Sequence, residues 1–247
     1  MILAAGLGTR LKTLTANKPK ALVEIEGVTM LEHQINYLTY NGIEEIIINV
    51  HHYADKIIDF LKSRKWNAKI VVSDESDLLL DTGGGLVKAS WFFDNNQPFV
   101  VTAVDVFTYA RLSEIIKFHQ KTKPLATLLV NERESNRYLL CNEDNILCGW
   151  ESVAPEKIMI TRKVNKNDIY RYAFCAIHII DPVIFDHKPE NEIFSITSWY
   201  LELSRLYDII LYPVRAEWYE MGRIENFDNE KIIKGIKRII DFYKKDK

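Results

Sequence analysis

A glycine-rich segment near the start of the chain carries residues that could bind phosphate. Leu3–Arg10 reads Leu-Ala-Ala-Gly-Leu-Gly-Thr-Arg, and a Pro-Lys pair follows at Pro19 and Lys20. Glycines allow backbone N–H groups to approach an anion closely, and such groups after a strand favour phosphate. The guanidinium of Arg10 can form two parallel hydrogen bonds to phosphate oxygens, while Lys20 supplies a compact positive charge. The segment therefore predicts a phosphate-binding loop.

Two familiar phosphate-binding loops do not match this segment. A Walker A loop requires a lysine directly after its last glycine, and no lysine stands there. A dinucleotide-binding fingerprint requires a third glycine, at the position that Leu11 holds. The alternative is a tight strand-to-helix turn with cations nearby by chance. The grouping of glycines, arginine and lysine after one short strand disfavours that alternative.

A carboxylate further along the chain could hold a divalent cation. Asp105 directly follows the apolar run Phe99–Val104, at the carboxyl end of a predicted strand, where open α/β sheets bind ligands. Mg²⁺ prefers one or two carboxylates, completed by phosphate oxygens and water. The alternative role for Asp105 is a helix N-cap or a loop carboxylate. A charge at this position is hard to explain by core packing, so Asp105 is a candidate metal ligand.

A second glycine-rich segment lies at Leu80–Gly85. Three adjacent glycines stand ahead of a helical pattern that we place at Gly85–Phe93. The absence of side chains there would allow a flat base to lie close to the backbone. The alternative is a flexible turn.

These segments lie on a chain that alternates short apolar runs with amphipathic stretches. Runs such as Ile46–Val50 predict buried strands, and stretches such as Met30–Tyr40 predict helices. The alternation predicts an α/β fold with a Rossmann-like, mixed but mainly parallel sheet flanked by helices. Closely spaced strands between about residues 138 and 180 predict a small antiparallel extension. No linker interrupts the chain, so residues 1–247 are predicted to form a single domain.

The composition argues against several classes of protein. The formal net charge is −2, whereas a nucleic-acid binder usually has a basic surface. The three cysteines, Cys141, Cys148 and Cys175, show no disulfide or zinc spacing, so we expect them to be reduced and buried. No apolar stretch reaches the ~18 residues of a membrane span, and the N-terminus lacks a signal peptide's basic region. We therefore expect a cytoplasmic protein without nucleic-acid or membrane partners.

Two further features are interpreted as structural. Asp74, Glu75 and Asp77 form an acidic loop, which is more often a solvated surface than a site. The stretch Asn229–Lys245 has isoleucines at helical spacing and lysines on the other face. A helix lying on a membrane surface is one reading of this stripe, but a helix that packs on the core explains it equally well, and we predict the latter.

The motifs together resemble the signature of the sugar-1-phosphate nucleotidylyltransferases, which reads G-x-G-T-R followed by P-K. Further motifs occur in the family's order: Leu80–Gly85, Val104-Asp105, Arg137–Leu139, Ala173-Phe174 with His178, Phe194–Ile196 and Trp218–Gly222. The resemblance covers essentially the whole chain. The short length is similar to that of the compact members, among them uridylyltransferases and guanylyltransferases. The implied fold is that of the nucleotide-diphospho-sugar transferases.

The resemblance implies an enzyme with two small-molecule substrates. It would transfer a nucleoside monophosphate from a nucleoside triphosphate to a sugar 1-phosphate by Mg²⁺-assisted in-line attack, and pyrophosphate would leave. Arg10 would hold the outgoing β- and γ-phosphates, and Lys20 would bridge the α-phosphate and the incoming sugar phosphate. The other implied binding residues are Ala4, Ala5, Gly6, Gly8, Thr9, Thr82, Gly83 and Gly84 for the nucleotide, Asp105 and Glu220 for Mg²⁺, and Ala176 and His178 for the sugar.

Two departures from the family pattern keep another function open. Glu220 stands where the family usually has an aspartate, and its extra methylene shifts the carboxylate although Mg²⁺ demands near-ideal geometry. Cys175-Ala176 stands where a serine–glycine pair often lines the sugar site. The alternative is therefore a regulatory protein that binds a nucleotide or nucleotide sugar with weakened catalysis. The sequence leaves the base, the sugar and the oligomeric state open.

Overall fold

The computed structural model describes residues 1–165 and 168–245. The chain divides into two compact units. The first consists of Met1–Leu80, Thr102–Ser113 and the chain from Ala216 onward, and the second of Asp81–Val101 and Glu114–Arg215. The expectation of a single domain stays a prediction.

The described residues form short strands and helices in alternation over much of the chain. The strands are β1 (Ile2–Leu3), β2 (Glu24–Ile25), β3 (Val28–Thr29), β4 (Glu45–Val50), β5 (Lys69–Asp74), β6 (Phe99–Ala103), β7 (Val106–Thr108), β8 (Ala126–Asn131), β9 (Arg137–Cys141), β10 (Leu147–Ser152), β11 (Lys157–Ile160), β12 (Tyr170–Ile180), β13 (Ile209–Pro213) and β14 (Trp218–Glu220). The α-helices are α1 (Met30–Tyr40), α2 (Ala54–Lys62), α3 (Asp81–Lys88), α4 (Leu112–Thr122), α5 (Ile196–Leu203) and α6 (Glu230–Lys245).

The first unit contains a parallel sheet in which β1 lies between β4 and the end of β6. Ile2 is paired with Ile48 of β4 and with Thr102 of β6, and β4 pairs in parallel with β5. Ile46, Ile47 and Ile48 are fully buried, so β4 is covered on both faces. Because the strands are parallel, the carboxyl ends of β1 and β6 meet at one edge of the sheet.

Helices α1 and α6 bury apolar faces in the first unit. The bounds of α1, Met30–Tyr40, are those predicted from the sequence, and the Thr29 side chain caps the helix by accepting a hydrogen bond from the Glu32 amide at 3.1 Å. In α6, Ile236, Ile239 and Tyr243 are buried. The prediction that the C-terminal helix packs on the core is confirmed.

The second unit is built mainly from antiparallel strands. Strand β12 pairs antiparallel with β8 and β9, and β9, β10 and β11 follow one another in antiparallel order. Strands β9 and β10 are joined by a tight turn in which the Asn145 amide donates to the Asn142 carbonyl at 3.0 Å. Strand β13 pairs in parallel with β8. The α/β class, with a mainly parallel sheet and an antiparallel extension, is therefore confirmed.

Helix α3 begins earlier than the sequence predicts. It starts at Asp81, so the glycines form its first turns instead of a loop before it. Glycine disfavours helices by itself. The cause lies in packing within the second unit, since the Gly83 amide donates to the Phe194 carbonyl at 2.9 Å and this close approach leaves no room for a side chain.

The cysteines and the lengths of the helices were also predicted from the sequence. Cys141, Cys148 and Cys175 are free and buried, as predicted. Within the described residues, no helix is both long enough and apolar enough to cross a membrane.

Candidate active site

The glycine-rich loop leaves the carboxyl end of β1 and turns sharply at Gly8. Ala4 and Ala5 are buried, whereas Gly6 is exposed. Gly8 adopts φ +66°, a left-handed conformation that favours glycine. A 3₁₀ segment, Thr9–Thr15, follows directly and carries Arg10.

Gly8 also allows Lys20 to approach the loop. A Cβ atom at Gly8 would lie 3.0 Å from the Lys20 Cβ and 3.1 Å from the Thr15 Cγ2. Lys20 begins the 3₁₀ segment Lys20–Leu22, directly after the extended Pro19. A side chain at Gly8 would therefore push away the stem of the lysine, and the glycine is needed both for its turn and for this contact.

Lys20 forms an ion pair with Asp105. The Lys20 ammonium donates to the Asp105 Oδ2, and the two side chains are only 14% and 7% exposed. Asp105 lies between β6 and β7, as the sequence predicted for a carboxylate at a strand end. An ion pair so little exposed to water is only weakly screened by salt.

Glu220 is brought beside Asp105 by strand pairing. Strand β14 is antiparallel to β7 with Glu220 opposite Val106, and the Met221 amide donates to the Asp105 carbonyl at 2.9 Å. The Arg10 Nη2 lies 3.5 Å from the Glu220 Oε1. The four predicted charged residues of the first unit therefore form two ion pairs at one place.

Gly222 marks the point on which these groups converge. A Cβ atom there would lie within 3.0 Å of the Glu220 Oε1, the Asp105 Oδ2 and the Arg10 Nη2. Two carboxylate oxygens and a guanidinium thus surround one small space that only a glycine leaves open. Gly222 ends the family motif Trp218–Gly222, and no sequence pattern signals its role there.

This space fits the requirements of Mg²⁺. In the described chain, no group of three or more His, Cys, Asp or Glu side chains could hold a metal by itself. Mg²⁺ in enzymes commonly takes one or two carboxylates and completes its shell with substrate oxygens and water. Asp105 and Glu220 offer that donor set.

The predicted residues of the second unit have local partners. The Thr82 Oγ1 accepts a hydrogen bond from the Ile196 amide at 3.0 Å, at the start of α5. Ala176 adopts φ +55°, within a register shift of β12 between Phe174 and His178. The small side chain of Ala176 suits this bulge, in which the family often has a glycine.

His178 is buried in the second unit. Only 2% of the residue is exposed, and its Nδ1 lies 2.9 Å from the Tyr200 hydroxyl. Burial lowers the pKa of His178 to about 3. These contacts give His178 a packing function, while the sugar-binding roles of Ala176 and His178 and the nucleotide-binding roles of Thr82, Gly83 and Gly84 stay predictions.

The first part of the chain matches a family model described as "Nucleotidyl transferase" over residues 1–142, which is more than half of the sequence. This chain belongs to the nucleotidyl transferase family. The resemblance found in the sequence is thereby confirmed.

Curated relatives of this nucleotidyl transferase differ in the base and sugar that their names state. The N-acetylmuramate alpha-1-phosphate uridylyltransferase of Caulobacter vibrioides is 40% identical over 103 residues, which are 40% of this chain and 43% of the relative. The mannose-1-phosphate guanylyltransferase catalytic subunit beta of Dictyostelium discoideum is 28% identical over 242 residues, 92% of this chain and 62% of the relative. The chain thus covers less than two thirds of the length of either relative.

Solved structures share the fold of this nucleotidyl transferase. HddC from Yersinia pseudotuberculosis has a TM-score of 0.73 at 22% identity and covers 96% of this chain and 97% of its own. The inositol-1-phosphate CTP transferase from T. maritima has a TM-score of 0.77 at 16% identity, with 96% and 94% covered. The predicted nucleotide-diphospho-sugar transferase fold is confirmed by these likenesses.

Charged side chains of both signs surround Glu220. Burial raises the pKa of Glu220, and the negative charge of Asp105 raises it further. The cations Arg10, Lys20 and Arg223 act in the opposite direction. Two carboxylates held this close repel each other, and added positive charge relieves that repulsion.

A polar network that was not predicted from the sequence contacts the start of the glycine-rich loop. The Ala4 amide donates to the Asn49 Oδ1 at 2.7 Å, and the Asn49 Nδ2 donates to the Glu75 Oε1 at 2.8 Å. Glu75 is fully buried. The prediction of a solvated acidic loop is therefore wrong for Glu75, because this carboxylate turns inward to orient the Asn49 amide. The only signal in the sequence was the polar Asn49 inside an otherwise apolar strand.

Proposed function

We propose that this chain transfers a nucleoside monophosphate from a nucleoside triphosphate to a sugar 1-phosphate and releases pyrophosphate. The observation that carries the proposal is the convergence of Asp105, Glu220 and Arg10 on the space at Gly222, with Lys20 paired to Asp105. Two anionic substrates can meet only where positive charge offsets their repulsion. The names of the relatives favour UTP or GTP as the nucleotide.

In this proposal, Arg10 and Lys20 bind different phosphate groups of the substrates. Arg10 is 58% exposed and can turn from Glu220 to the outgoing β- and γ-phosphates. Lys20 donates to Asp105, and in this proposal its ammonium would bridge the α-phosphate and the incoming sugar phosphate. No protein nucleophile is required, because the sugar phosphate oxygen itself attacks the α-phosphorus and pyrophosphate leaves in line.

Mg²⁺ is part of the proposal. Asp105 and Glu220 would hold it, and it would supply charge neutralisation for the phosphate oxygens. The same carboxylates form ion pairs with Lys20 and Arg10. Cytoplasmic location and the lack of nucleic-acid and membrane partners stay predictions.

The experiment is a pyrophosphate-release assay of the purified chain with UTP, GTP, CTP and dTTP against a panel of sugar 1-phosphates. We expect turnover that requires Mg²⁺ and that falls at least about 100-fold in Asp105→Asn. Asp144→Asn, which changes an exposed carboxylate in a turn, is the matched control and should keep full activity.

Metal binding is measured separately from turnover. Mg²⁺ should raise the melting temperature of the wild type but not that of Asp105→Asn. Full activity in Asp105→Asn would reject the metal assignment. Nucleotide binding without turnover across the whole panel would favour the regulatory alternative.

A further inference from the structure

Strand β11 is an edge strand of the second unit and exposes all four of its residues, Lys157–Ile160. Among the described residues, it pairs only with β10. Ile158, Met159 and Ile160 are 60%, 37% and 46% exposed, so three consecutive large apolar side chains face water. Edge strands of soluble proteins are usually protected from pairing with another chain, and an exposed apolar edge favours such pairing.

The outer edge of β11 is formed by the backbone groups of two isoleucines. The Thr161 amide donates to the Cys148 carbonyl at 2.8 Å, and therefore points to β10. In antiparallel pairs, the backbone groups of successive residues point to opposite sides of the strand. Because Thr161 points to β10, the N–H and C=O groups of Ile160 and Ile158 point away from β10, in the direction from which a further strand would add.

A second copy of the same strand fits this edge in antiparallel orientation. With a twofold axis at Met159, Ile158 of one copy lies opposite Ile160 of the other, and each pair exchanges two N–H···O=C bonds. The four isoleucines then contact one another on one face of the joined sheet, and the two methionines meet on the other face. Among the registers in which outward-pointing groups meet, this one pairs both isoleucines of each copy with an isoleucine of the other.

The surroundings of Met159 also suit a second copy. Met159 borders a groove of about 370 Å³, and the other residues that line the groove are Ser198, Leu201, Glu202 and Arg205. Methionine adapts to irregular gaps, so the methionine of the second copy can pack at this groove. Glu202 and Arg205 are exposed and opposite in charge. A surface that carries both signs can lie against its own copy, whereas a surface of one sign would repel it.

We propose that two copies of this chain associate through β11 and form a continuous antiparallel sheet across a twofold axis at Met159. The strands that meet are only four residues long. The interface is therefore small, and small interfaces are typical of weak association. The proposal concerns assembly and does not depend on the proposed function.

The variant Met159→Cys tests the position of the axis. Residues opposite each other on the axis bring their Cβ atoms close to disulfide range, so this variant should form a covalent dimer on mild oxidation, seen on a non-reducing gel. The native cysteines are buried, so the wild type should not link. Val183→Cys is the matched control, because Val183 is 50% exposed but lies in the segment Pro182–His187. It should link at least about tenfold more slowly, and equal rates would overturn the proposal.

Two double variants test the register. Ile158→Lys with Ile160→Glu places opposite charges across the interface, whereas Ile158→Lys with Ile160→Lys places like charges there. Both remove the same apolar surface at exposed positions, so both should fold as the wild type does. Sedimentation up to about 200 μM should show a dimer for the wild type. The dissociation constant of the like-charged variant should be at least about tenfold above that of the oppositely charged variant.

Two outcomes of sedimentation would overturn the proposal. A wild type that stays monomeric up to the highest concentration would do so, because β11 would then not pair with its own copy. Equal dissociation constants for the two double variants would also do so, because the interface or its register would differ from the one proposed. None of these measurements involves turnover, so a failed pyrophosphate-release assay leaves them unchanged, and a monomeric chain leaves the proposed function standing.

Discussion

Gly222 keeps open the space on which the charged side chains converge. In Gly222→Ala, the new methyl group would displace the carboxylates of Glu220 and Asp105 and the Arg10 guanidinium. We expect kcat to fall about 100-fold or more, because metal and phosphate positions depend on these groups. The displaced atoms are the ends of side chains that can move, so the melting temperature should change by only a few degrees.

Gly42 provides a control, because its substitution should lower stability without lowering kcat. Gly42 has φ +81° with no atom within 4 Å of a built Cβ, so Gly42→Ala strains the backbone without touching the site. It should cost about 1 kcal/mol of stability and leave kcat unchanged. If Gly222→Ala lost stability as Gly42→Ala does and kept its activity, the role assigned to Gly222 would be wrong.

Lys20 and Asp105 depend on each other for stability. Lys20→Met would leave the carboxylate of Asp105, only 7% exposed, without its cation. We expect a loss of about 3 kcal/mol in the free energy of unfolding measured in urea without Mg²⁺. The double variant with Asp105→Asn should be more stable than Lys20→Met alone, and strict additivity would contradict the pairing.

The three buried cysteines should be chemically inert in the folded protein. Burial raises the pKa of Cys141 and of Cys175 to about 12, and it raises the pKa of Cys148 as well. Because only the thiolate reacts, iodoacetamide at pH 8 should modify none of them within an hour. Mass spectrometry should show three additions in urea. Rapid modification of the native chain would contradict this prediction.

At the scale of elements, Gly83 sets how closely α3 lies to the residues before α5. A Cβ atom at Gly83 would overlap the Phe194 ring and would lie 2.9 Å from its carbonyl oxygen. We expect Gly83→Ala to lower the free energy of unfolding, measured in urea, by about 1–3 kcal/mol. If ring overlap is the main cause, Gly83→Ala should cost much less in a Phe194→Ala background, and an equal cost there would exclude it.

Elements with local patterns could be predicted from the sequence, and long-range contacts could not. The bounds of α1 follow from the helical spacing of its apolar residues. The pairing of β14 with β7 joins segments more than 100 residues apart, so no local pattern signals that Glu220 lies beside Asp105. Only the family resemblance linked these carboxylates. Glu75 was misread for a related reason, because a loop carboxylate looks solvated until its partner Asn49 is known.

At the scale of the whole molecule, each unit encloses a histidine that is kept neutral. His33 is 2% exposed in the first unit and stacks on Phe107 with 4.1 Å between ring centres. Burial lowers the pKa of His33, and separately that of His178, to about 3. In the unfolded chain both would titrate near the usual histidine value of ~6.5. Both histidines therefore couple stability to pH in the same direction.

Between about pH 6.5 and 3, both histidines are protonated in the unfolded chain but stay neutral in the folded chain. The free energy of unfolding should therefore fall as the pH is lowered, by up to about 1.4 kcal/mol per pH unit for each histidine. Urea unfolding from pH 7 to 5 measures this slope. His33→Leu should reduce it, whereas Ile35→Val, a change in the same helix core, should lower stability equally at every pH. An unchanged slope in His33→Leu would show that His33 does not contribute to the pH dependence of the free energy of unfolding.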